Sequence, residues 1–471
     1  MIIRMTKSQN LVTLALILYL ILCIQLILRG YNDFSEKQHV DFPTHFFRLR
    51  VGAEYVGLNI IYLIWLIQNK EKASNFSFTN ILKSSFLFLI IAFLGYPITS
   101  DIYLYLQYGL MDLNGINPFI NTAEKFSSEL STLLGWQSSS TYGPVSQLFF
   151  MTAAYFIPIS LILGVYVFKI FCLLMHGING YLIWRQLKLS PHQRKITLAY
   201  LVNPVLLFEQ VTNAHVDVFI STVLIVLIAC LKNFHYLAGI LTIWIGFLAK
   251  TLPIIWLPLV SVFLIRQQRW KSLLVASFLS LAIVVGLYCS VLPTFEAWKS
   301  LLNPGVKELT VGSLHNMLRI ALDKLPNLET HFKTTILSAF KLSTYFCFAF
   351  YYTWILFKPY FRRGYSEANL SLSIGWITLA LFLFATPWYQ PWYTSILLPI
   401  TALNINSRHF VLTSLTFCLS SNCSYYLIGY GSSPGSTFFG LIGSLLAVGP
   451  AIVTLILGRK LLQAWAGEGR T

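Results

Sequence analysis

The sequence predicts an all-α membrane protein with about 14 transmembrane helices and with interfacial helices in its outer loops. Of the 471 residues, 56% are hydrophobic and only 11% are charged, whereas a soluble domain carries about 25% charged residues. The apolar residues form long blocks, such as LVTLALILYLILCIQLIL at 11–28, and crossing a bilayer core takes roughly 20 of them. A soluble fold is therefore excluded, and the lipid bilayer is an expected partner.

The charge distribution argues against nucleic acid as a partner. The net charge of +16 comes from 33 Lys plus Arg against 17 Asp plus Glu, and the basic residues lie in short segments between apolar blocks, as is typical of cytoplasmic loops. The seven cysteines are odd in number and form no CxxC pair, which argues against a disulfide framework or a zinc site. No metal site is predicted, and no cofactor is expected.

The first three spans are predicted at 11–28, 51–67 and 81–98, the last ending at Pro97. We expect the first block to be a retained helix, because it is long for a signal peptide and no small-residue cleavage site follows it. The loop at 29–50 is then outside, although it carries four basic residues, Arg29, Lys37, Arg48 and Arg50. This loop is the exception to the rule that basic residues stay inside.

Residues 99–159 are predicted to form an outer loop that is rich in acidic residues. We expect an interfacial helix at 143–158 and a single inward span at 160–184. If residues 143–184 held two spans, the basic cluster at 185–195 would lie on the outer side, against the charge rule.

The rest of the chain alternates between spans and short basic loops, with a second outer loop at 293–333. Both termini are then cytoplasmic, and residues 1–471 form a single integral membrane domain. The remaining spans are predicted at 195–208, 216–231, 236–250, 252–265, 272–292, 334–357, 370–386, 391–405, 410–428 and 438–458.

Asp101 is the first candidate for chemistry, because it directly follows the third predicted span. A carboxylate fixed at a helix end on the outer side could take a proton from a sugar hydroxyl. The alternative is a helix N-cap, a position that aspartate favours.

A second group of polar residues, Glu209, Asn213, His215 and Asp217, falls between two apolar blocks. His215 and Asp217 are two residues apart and do not share a helical face, so a loop or a helix start is needed to bring them together. The group could form an outer pocket for phosphate or sugar. Interfacial polarity and helix capping are the alternative.

Three further candidates could contact a phosphate, a sugar or an isoprenoid chain. Lys250 lies between apolar runs and could meet a phosphate as a point charge, or it could extend to the interface as long cations do. Arg319 lies in an amphipathic segment at 314–322, which would by itself read as a helix on the membrane surface. The aromatic segment TPWYQPWY at 386–393 suits either a sugar platform or an interfacial aromatic belt.

Several of these segments, in this order, resemble the GT-C glycosyltransferases that use polyprenyl-phosphate sugars, and most of all the bacterial polyprenol-phosphate-mannose-dependent α-1,6-mannosyltransferases. The likeness covers roughly residues 80–400. The segments that carry it are DIYLY (101–105), GINPF (115–119), TYGP (141–144), LVNP (201–204) with NAHVD (213–217), LAKTLPIIWLP (248–258) and TPWYQPW (386–392).

The resemblance implies a GT-C-like fold and an inverting hexosyltransferase, with mannose as the expected sugar. The sugar would pass from a polyprenyl-phosphate donor to a glycan or glycolipid on the outer face of the cell (inner) membrane. Asp101 matches the catalytic base. The expected substrate-binding residues are Tyr105, Asn117, Tyr142, Asn213, His215, Asp217, Lys250, Arg319, Trp388, Tyr389 and Trp392. Two departures from the family pattern are visible. Val216 separates His215 from Asp217 where the family often has Asn, and Asp112 lies eleven residues beyond Asp101, whereas many GT-C enzymes have two acidic residues close together.

Two other classes of polytopic protein remain as alternatives. One is a transporter or flippase of lipid-linked sugars, although no internal repeat of the kind that many transporters show is visible. The other is a surface-polysaccharide polymerase or ligase, which would differ in using an oligosaccharide on a diphosphate.

Overall fold

A computed structural model describes residues 7–40, 44–68, 77–302, 310–429 and 438–468, and these residues are helical without any β-strand. The predicted all-α class is therefore confirmed. The chain divides into two compact units. The first comprises 1–47, 54–257 and 269–305, and the second comprises 48–53, 258–268 and 306–471.

The helices follow the apolar blocks closely. Those up to residue 302 are α1 (Lys7–Glu36), α2 (His45–Gln68), α3 (Phe78–Leu94), α4 (Asp101–Leu113), α5 (Pro144–Ala154), α6 (Leu161–Gln186), α7 (Gln193–Leu201), α8 (Pro204–Leu206), α9 (Asp217–Lys232), α10 (Tyr236–Phe247), α11 (Trp256–Arg266), α12 (Trp270–Cys289) and α13 (Phe295–Leu302). Those after it are α14 (Leu314–Asp323), α15 (Thr330–Phe361), α16 (Glu367–Ala380), α17 (Leu397–Leu403), α18 (Arg408–Leu427) and α19 (Phe438–Glu468).

In the part of the chain that the structure describes, six helices are long and apolar enough to cross a membrane, and together they show a multi-pass membrane protein. They are Gln9–Glu36, His45–Gln68, Leu161–Gln186, Trp270–Cys289, Glu367–Ala385 and Phe439–Lys460, and three shorter apolar helices lie at Phe78–Leu94, Tyr236–Phe247 and Leu252–Arg266. Exposed apolar side chains such as Leu274 and Phe278 on α12 suit contact with lipid. Within the described residues, the expected count of about 14 spans is not confirmed.

Part of the difference in count comes from apolar blocks that the chain interrupts. The predicted span 195–208 ends as an α-helix at Leu201, and a new short helix begins at Pro204, followed by a π-helical segment at Leu207–Thr212. Proline is suited to a first helical turn and not to a helix interior. The chain therefore breaks between α7 and α8, and Pro204 is the first residue of the new helix.

The outer-loop prediction for 99–159 corresponds to two packed helices, α4 and α5. Gly109 of α4 lies against the α5 backbone, where an added Cβ would come within 2.4 Å of the Phe150 carbonyl oxygen. The following helix α6 is one continuous apolar element of 26 residues, and its bounds agree with those predicted for the span at 160–184.

The exceptional basic loop after the first span is shorter than predicted, because α1 continues to Glu36. Arg29 therefore lies within this helix and is only 3% exposed. Its guanidinium donates to the Ile98 carbonyl at 3.3 Å and lies 3.8 Å from Asp33. One of the four unexpected charges is thus paired inside the protein.

In the second unit, small polar residues allow two helices to pack. Ser420 of α18 donates to the Ala447 carbonyl of α19 at 2.7 Å, and Ser424 donates to the Gly443 carbonyl at 2.5 Å. Hydroxyl groups of this kind join helices in an apolar environment.

We expect Gly109→Ala to destabilise the protein by about 1–3 kcal/mol, because the added methyl group meets backbone that cannot rotate away. The matched control is Gly177→Ala in α6, where an added Cβ meets nothing within 4 Å; its effect should be neutral or favourable, by at most about 1 kcal/mol. Thermal unfolding of the detergent-solubilised protein measures both. Equal unfolding temperatures for the Gly109→Ala variant and the wild type would contradict the packing described.

Candidate active site

Two aspartates mark the starts of two helices in the first unit. Asp101 is the first residue of α4, and Asp217 is the first residue of α9. Ser100 occupies the capping position before α4 and makes no side-chain capping bond, so Asp101 is a helical residue rather than the N-cap. A carboxylate in the first turn is favoured by the partial positive charge of the helix N-terminus.

The segment before α9 turns sharply and directs its polar side chains inward. Asn203 caps the short helix α8, its side-chain oxygen accepting from the backbone N–H groups of Val205 and Leu206 at 2.9 and 3.2 Å. After the π-helical segment, Ala214 adopts a positive φ of 56°, a conformation that is costly for a residue with a Cβ. The turn places His215 two residues before the start of α9.

His215 lies between two carboxylates. Its Nδ1 atom is 3.5 Å from Asp101 Oδ2, and its Nε2 atom is 3.4 Å from Glu209 Oε2. The side chains of His215 and Glu209 are fully buried, whereas that of Asp101 is 14% exposed. Of these three side chains, that of Asp101 is therefore the one with solvent-accessible surface.

Asn213 joins the two segments that carry this group. Its side-chain oxygen accepts from the Ile98 N–H at 3.0 Å, and its Nδ2 atom donates to Glu209 at 3.3 Å. Asn213 is fully buried. Its hydrogen bonds to Ile98 and Glu209 give it a structural role, and its predicted contact with substrate stays a prediction.

A second ionic pair lies in the same unit. Lys250 Nζ is 2.9 Å from both carboxylate oxygens of Asp217, and the side chains are 18% and 1% exposed. The ammonium also lies 5.9 Å from the centre of the Tyr142 ring. Lys250 therefore has a specific buried partner, which a lysine that merely extends to the interface would not need.

A short backbone bridge fixes Tyr142 beside Lys250. Gly143 N–H donates to the Ala249 carbonyl at 3.1 Å, and Val145 N–H donates to the Leu248 carbonyl at 2.8 Å. A Cβ at Gly143 would come within 2.3 Å of the Leu248 oxygen. The glycine of the Tyr-Gly-Pro element is thus required by the close approach of two backbones.

Tyr105 completes the aromatic side of this region. Its hydroxyl lies 3.3 Å from the Tyr142 hydroxyl, and its ring stacks on Phe150. Burial raises the pKa of Tyr105 well above its ordinary value, and the nearby Tyr142 and Asp101 act in the same direction. The hydroxyl therefore stays neutral and can act as a hydrogen-bond donor.

Asn117, another predicted substrate-binding residue, organises a turn. Its Nδ2 atom donates to the Val291 carbonyl at 2.9 Å, and its side-chain oxygen accepts from Phe119 N–H at 2.9 Å. These contacts fit the alternative interpretation of Asn-Pro as a turn signal.

Arg319, Trp388, Tyr389 and Trp392 belong to the second unit. Arg319 donates to Thr310 and Asn316 at 2.8 and 2.9 Å and lies 3.6 Å from Asp323. The Trp388 segment pairs with Val311 through a backbone bridge.

The Pro-Trp-Tyr segment is part of the core of the second unit. Tyr389 is 0% exposed, its hydroxyl lies 2.5 Å from Ser421 Oγ, and its ring stacks on Phe417. Trp392 is also buried. For these two residues, burial inside the protein argues against a belt at the membrane surface.

The structure adds one residue to the sequence-based site. Glu209 was recognised as part of the polar group but not as a site residue, and its contact with His215 gives it a place beside Asp101. Among the described residues, no group of three His, Cys, Asp or Glu side chains is arranged to hold a metal ion.

A cavity of about 550 Å³ lies elsewhere in the first unit, among α1, α2, α3 and α7. It is mainly apolar, and Gln9 and Arg194 are among its lining residues. None of the predicted site residues lines it, so we do not include it in the candidate site.

The fold and these groups define a polytopic membrane protein in which two candidate ionisable residues, Asp101 and Asp217, are the first residues of helices. A family comparison makes this class specific: the family described as alpha-(1->6)-mannopyranosyltransferase, N-terminal domain, matches residues 19–266, just over half of the chain. The chain belongs to this family and is a membrane glycosyltransferase, which confirms the resemblance of its motifs. No curated protein and no solved structure matches significantly.

We expect the Lys250–Asp217 pair to respond asymmetrically to substitution. Lys250→Met leaves a buried carboxylate unpaired and should cost about 3–5 kcal/mol of stability. Adding Asp217→Asn should recover much of the loss, because the remaining amide carries no charge. Thermal unfolding of the two single variants and the double variant in detergent measures the coupling. A double variant that is as unstable as the sum of the single variants would argue against a direct pair.

Proposed function

We propose that the protein transfers a mannose residue from a polyprenyl-phosphate donor to a hydroxyl group of a glycan or glycolipid on the outer face of the cell membrane. Family membership supports mannose transfer. The single observation that most supports the location of the reaction is the partly exposed Asp101 carboxylate, held beside the buried His215. A helix start gives this carboxylate a rigid support.

Asp101 would act as the general base. The acceptor oxygen forms a bond to the anomeric carbon while the bond from that carbon to the phosphate oxygen breaks. The acceptor proton passes to Asp101, and polyprenyl phosphate leaves with the bonding electron pair. Displacement from the opposite side inverts the anomeric centre, so a β-linked donor gives an α-linked product.

His215 and Glu209 would orient the base. An imidazole held between two carboxylates can restrict the rotation of the Asp101 side chain, as supporting residues do in other acid–base sites. Because both residues are fully buried, we assign them this supporting role and leave substrate contact to Asp101.

Lys250 would stabilise the leaving phosphate. Its side chain remains partly exposed while it pairs with Asp217, and cationic groups placed at developing phosphate charge lower the barrier for transfer. Tyr142 lies in the same unit, is partly exposed and would contact the sugar through its hydroxyl group and ring. The buried Tyr105 would support it through the contact between the two hydroxyl groups. For Arg319, Trp388, Tyr389 and Trp392, contact with substrate stays a prediction from the sequence.

A donor with a long isoprenoid tail explains why such a site belongs in a membrane protein. The tail is retained in the hydrocarbon region, so its phosphate stays at the interface, where the segments 99–159 and 293–333 are proposed to lie on the outer side. The residues 1–471 would then act as one integral membrane domain.

We expect Asp101→Asn to reduce mannose transfer at least about 100-fold, the lower range for removal of an acid–base group. The assay compares the purified wild type and the Asp101→Asn variant in nanodiscs with polyprenyl-phosphate mannose, and mass spectrometry identifies the product. The matched control is Asp112→Asn at the other end of α4. Burial raises the pKa of the Asp112 carboxyl, which makes it the competing carboxylate in this helix.

Full activity of Asp101→Asn with loss of activity in Asp112→Asn would move the base to Asp112. Transfer from a nucleotide-linked mannose, but not from the lipid-linked donor, would contradict the donor assignment. Movement of the intact lipid-linked sugar across vesicles without transfer would favour a flippase. Transfer of an oligosaccharide from a diphosphate donor would favour a polymerase or ligase.

We also expect the 99–159 segment to be accessible from outside. Glu124→Cys, at an exposed position of this segment, should react with a membrane-impermeant maleimide in intact cells, whereas Lys188→Cys should react only after permeabilisation. Both positions are exposed on the protein surface. The background variant lacks the exposed Cys289 and Cys347. The reverse labelling pattern would place the proposed site on the cytoplasmic side.

A further inference from the structure

Lys169 is a fully buried lysine inside the apolar helix α6. A charged residue at the centre of a membrane helix costs roughly 2.5–3.5 kcal/mol on insertion scales, and such residues are candidates for a functional role by default. Neither the motifs nor the proposed reaction uses this residue.

The amine of Lys169 is surrounded by backbone carbonyl groups. It donates to the carbonyl oxygens of Gly95, of Thr212 at 2.9 Å and of Ala92 at 3.5 Å. Three acceptors match the three N–H bonds of an ammonium group, whereas a neutral amine has two. The contacts therefore suit the charged form.

These carbonyls belong to the C-terminal ends of two helical segments. Ala92 and Gly95 lie at the end of α3, and Thr212 ends the π-helical segment. The last carbonyls of a helix lack partners within the helix and carry partial negative charge. One ammonium thus satisfies two helix ends at once.

The same two ends lead directly to the proposed reacting groups. The chain passes from Gly95 to Asp101 in six residues and from Thr212 to His215 in three. Thr212 Oγ1 also donates to the Ala92 carbonyl at 3.0 Å. The position of Asp101 relative to His215 therefore depends on how the two ends are joined.

We propose that Lys169 is a positioning residue: by binding the ends of α3 and of the π-helical segment together, it sets the 3.5 Å separation of Asp101 and His215. It does not touch the substrate. The proposal rests on the proposed function of Asp101, and it assigns to a buried charge within the membrane helix a role in the geometry of the site.

The test compares Lys169→Met with Gln186→Met. Gln186 lies on the same helix and also donates to a backbone carbonyl, that of Ile225 at 3.0 Å, but it lies about 25 Å further along at 1.5 Å per residue. We expect Lys169→Met to lower kcat about 10- to 100-fold with KM changed less than about threefold, the size of effect that a misplaced reacting group produces. Gln186→Met should keep the wild-type kcat.

A double-mutant cycle separates positioning from general destabilisation. In a His215→Ala background, Lys169→Met should lower kcat by less than twofold more, because its effect passes through the site geometry. An undiminished additional loss would contradict the proposal. If Lys169→Met does not fold, Lys169→Gln replaces it, since its amide donates to two of the three carbonyls, and an intermediate kcat is then expected.

A cross-linking arm tests the geometry without activity. Cysteines at positions 101 and 215 should be joined by a short bifunctional methanethiosulfonate reagent in otherwise wild-type protein, more slowly with Lys169→Met and at the unchanged rate with Gln186→Met. An unchanged rate with Lys169→Met would overturn the positioning role. A wild-type protein that transfers no mannose, together with slowed cross-linking, would instead refute the proposed function alone.

Discussion

The structure depends on one constraint: a polar group enclosed by apolar helices has to find its partner inside the protein. In the first unit this constraint is met by the contact of Lys169 with two helix ends, by the pairing of Lys250 with Asp217, and by the contacts of His215 with Asp101 and Glu209. Apart from the contact of His215 with Glu209, each pairing joins segments that are distant in the chain. The reacting groups proposed here are consequently held by the same contacts that stabilise the helix packing.

Apolar length alone predicts much of the fold. The block at 160–184 becomes α6, and the block at 216–231 becomes α9, because an uninterrupted apolar block of this length is a direct sequence signal for a helix. The block at 195–208 fails as one helix, since Asn203 caps a new helix at Pro204 and the following turns are π-helical. A π-helical segment has no clear sequence pattern, and its formation depends on tertiary contacts such as that of Thr212 with Ala92. Composition also does not decide whether a short apolar helix crosses the membrane.

The site was predicted in its residue types but not in its pairings. The sequence placed Asp101 and Asp217 near helix starts, and the structure makes both the first residue of a helix. That His215 lies beside Asp101, or Lys250 beside Asp217, follows from packing and could not be read from spacing. The structural contact of Asn117 with the Val291 carbonyl could not be read from spacing either. Lys169 was missed although its signal, a lone lysine in an apolar helix, was visible.

The most direct test of the central claim is the position of the donor in the protein. A cryo-electron microscopy structure of the Asp101→Asn variant in nanodiscs with a non-transferable polyprenyl-phosphate mannose analogue gives two distances. The account predicts the anomeric carbon within about 4 Å of the position-101 side chain, allowing for the acceptor oxygen between them, and the phosphate in contact with Lys250. A donor bound with its phosphate distant from both residues would contradict the account.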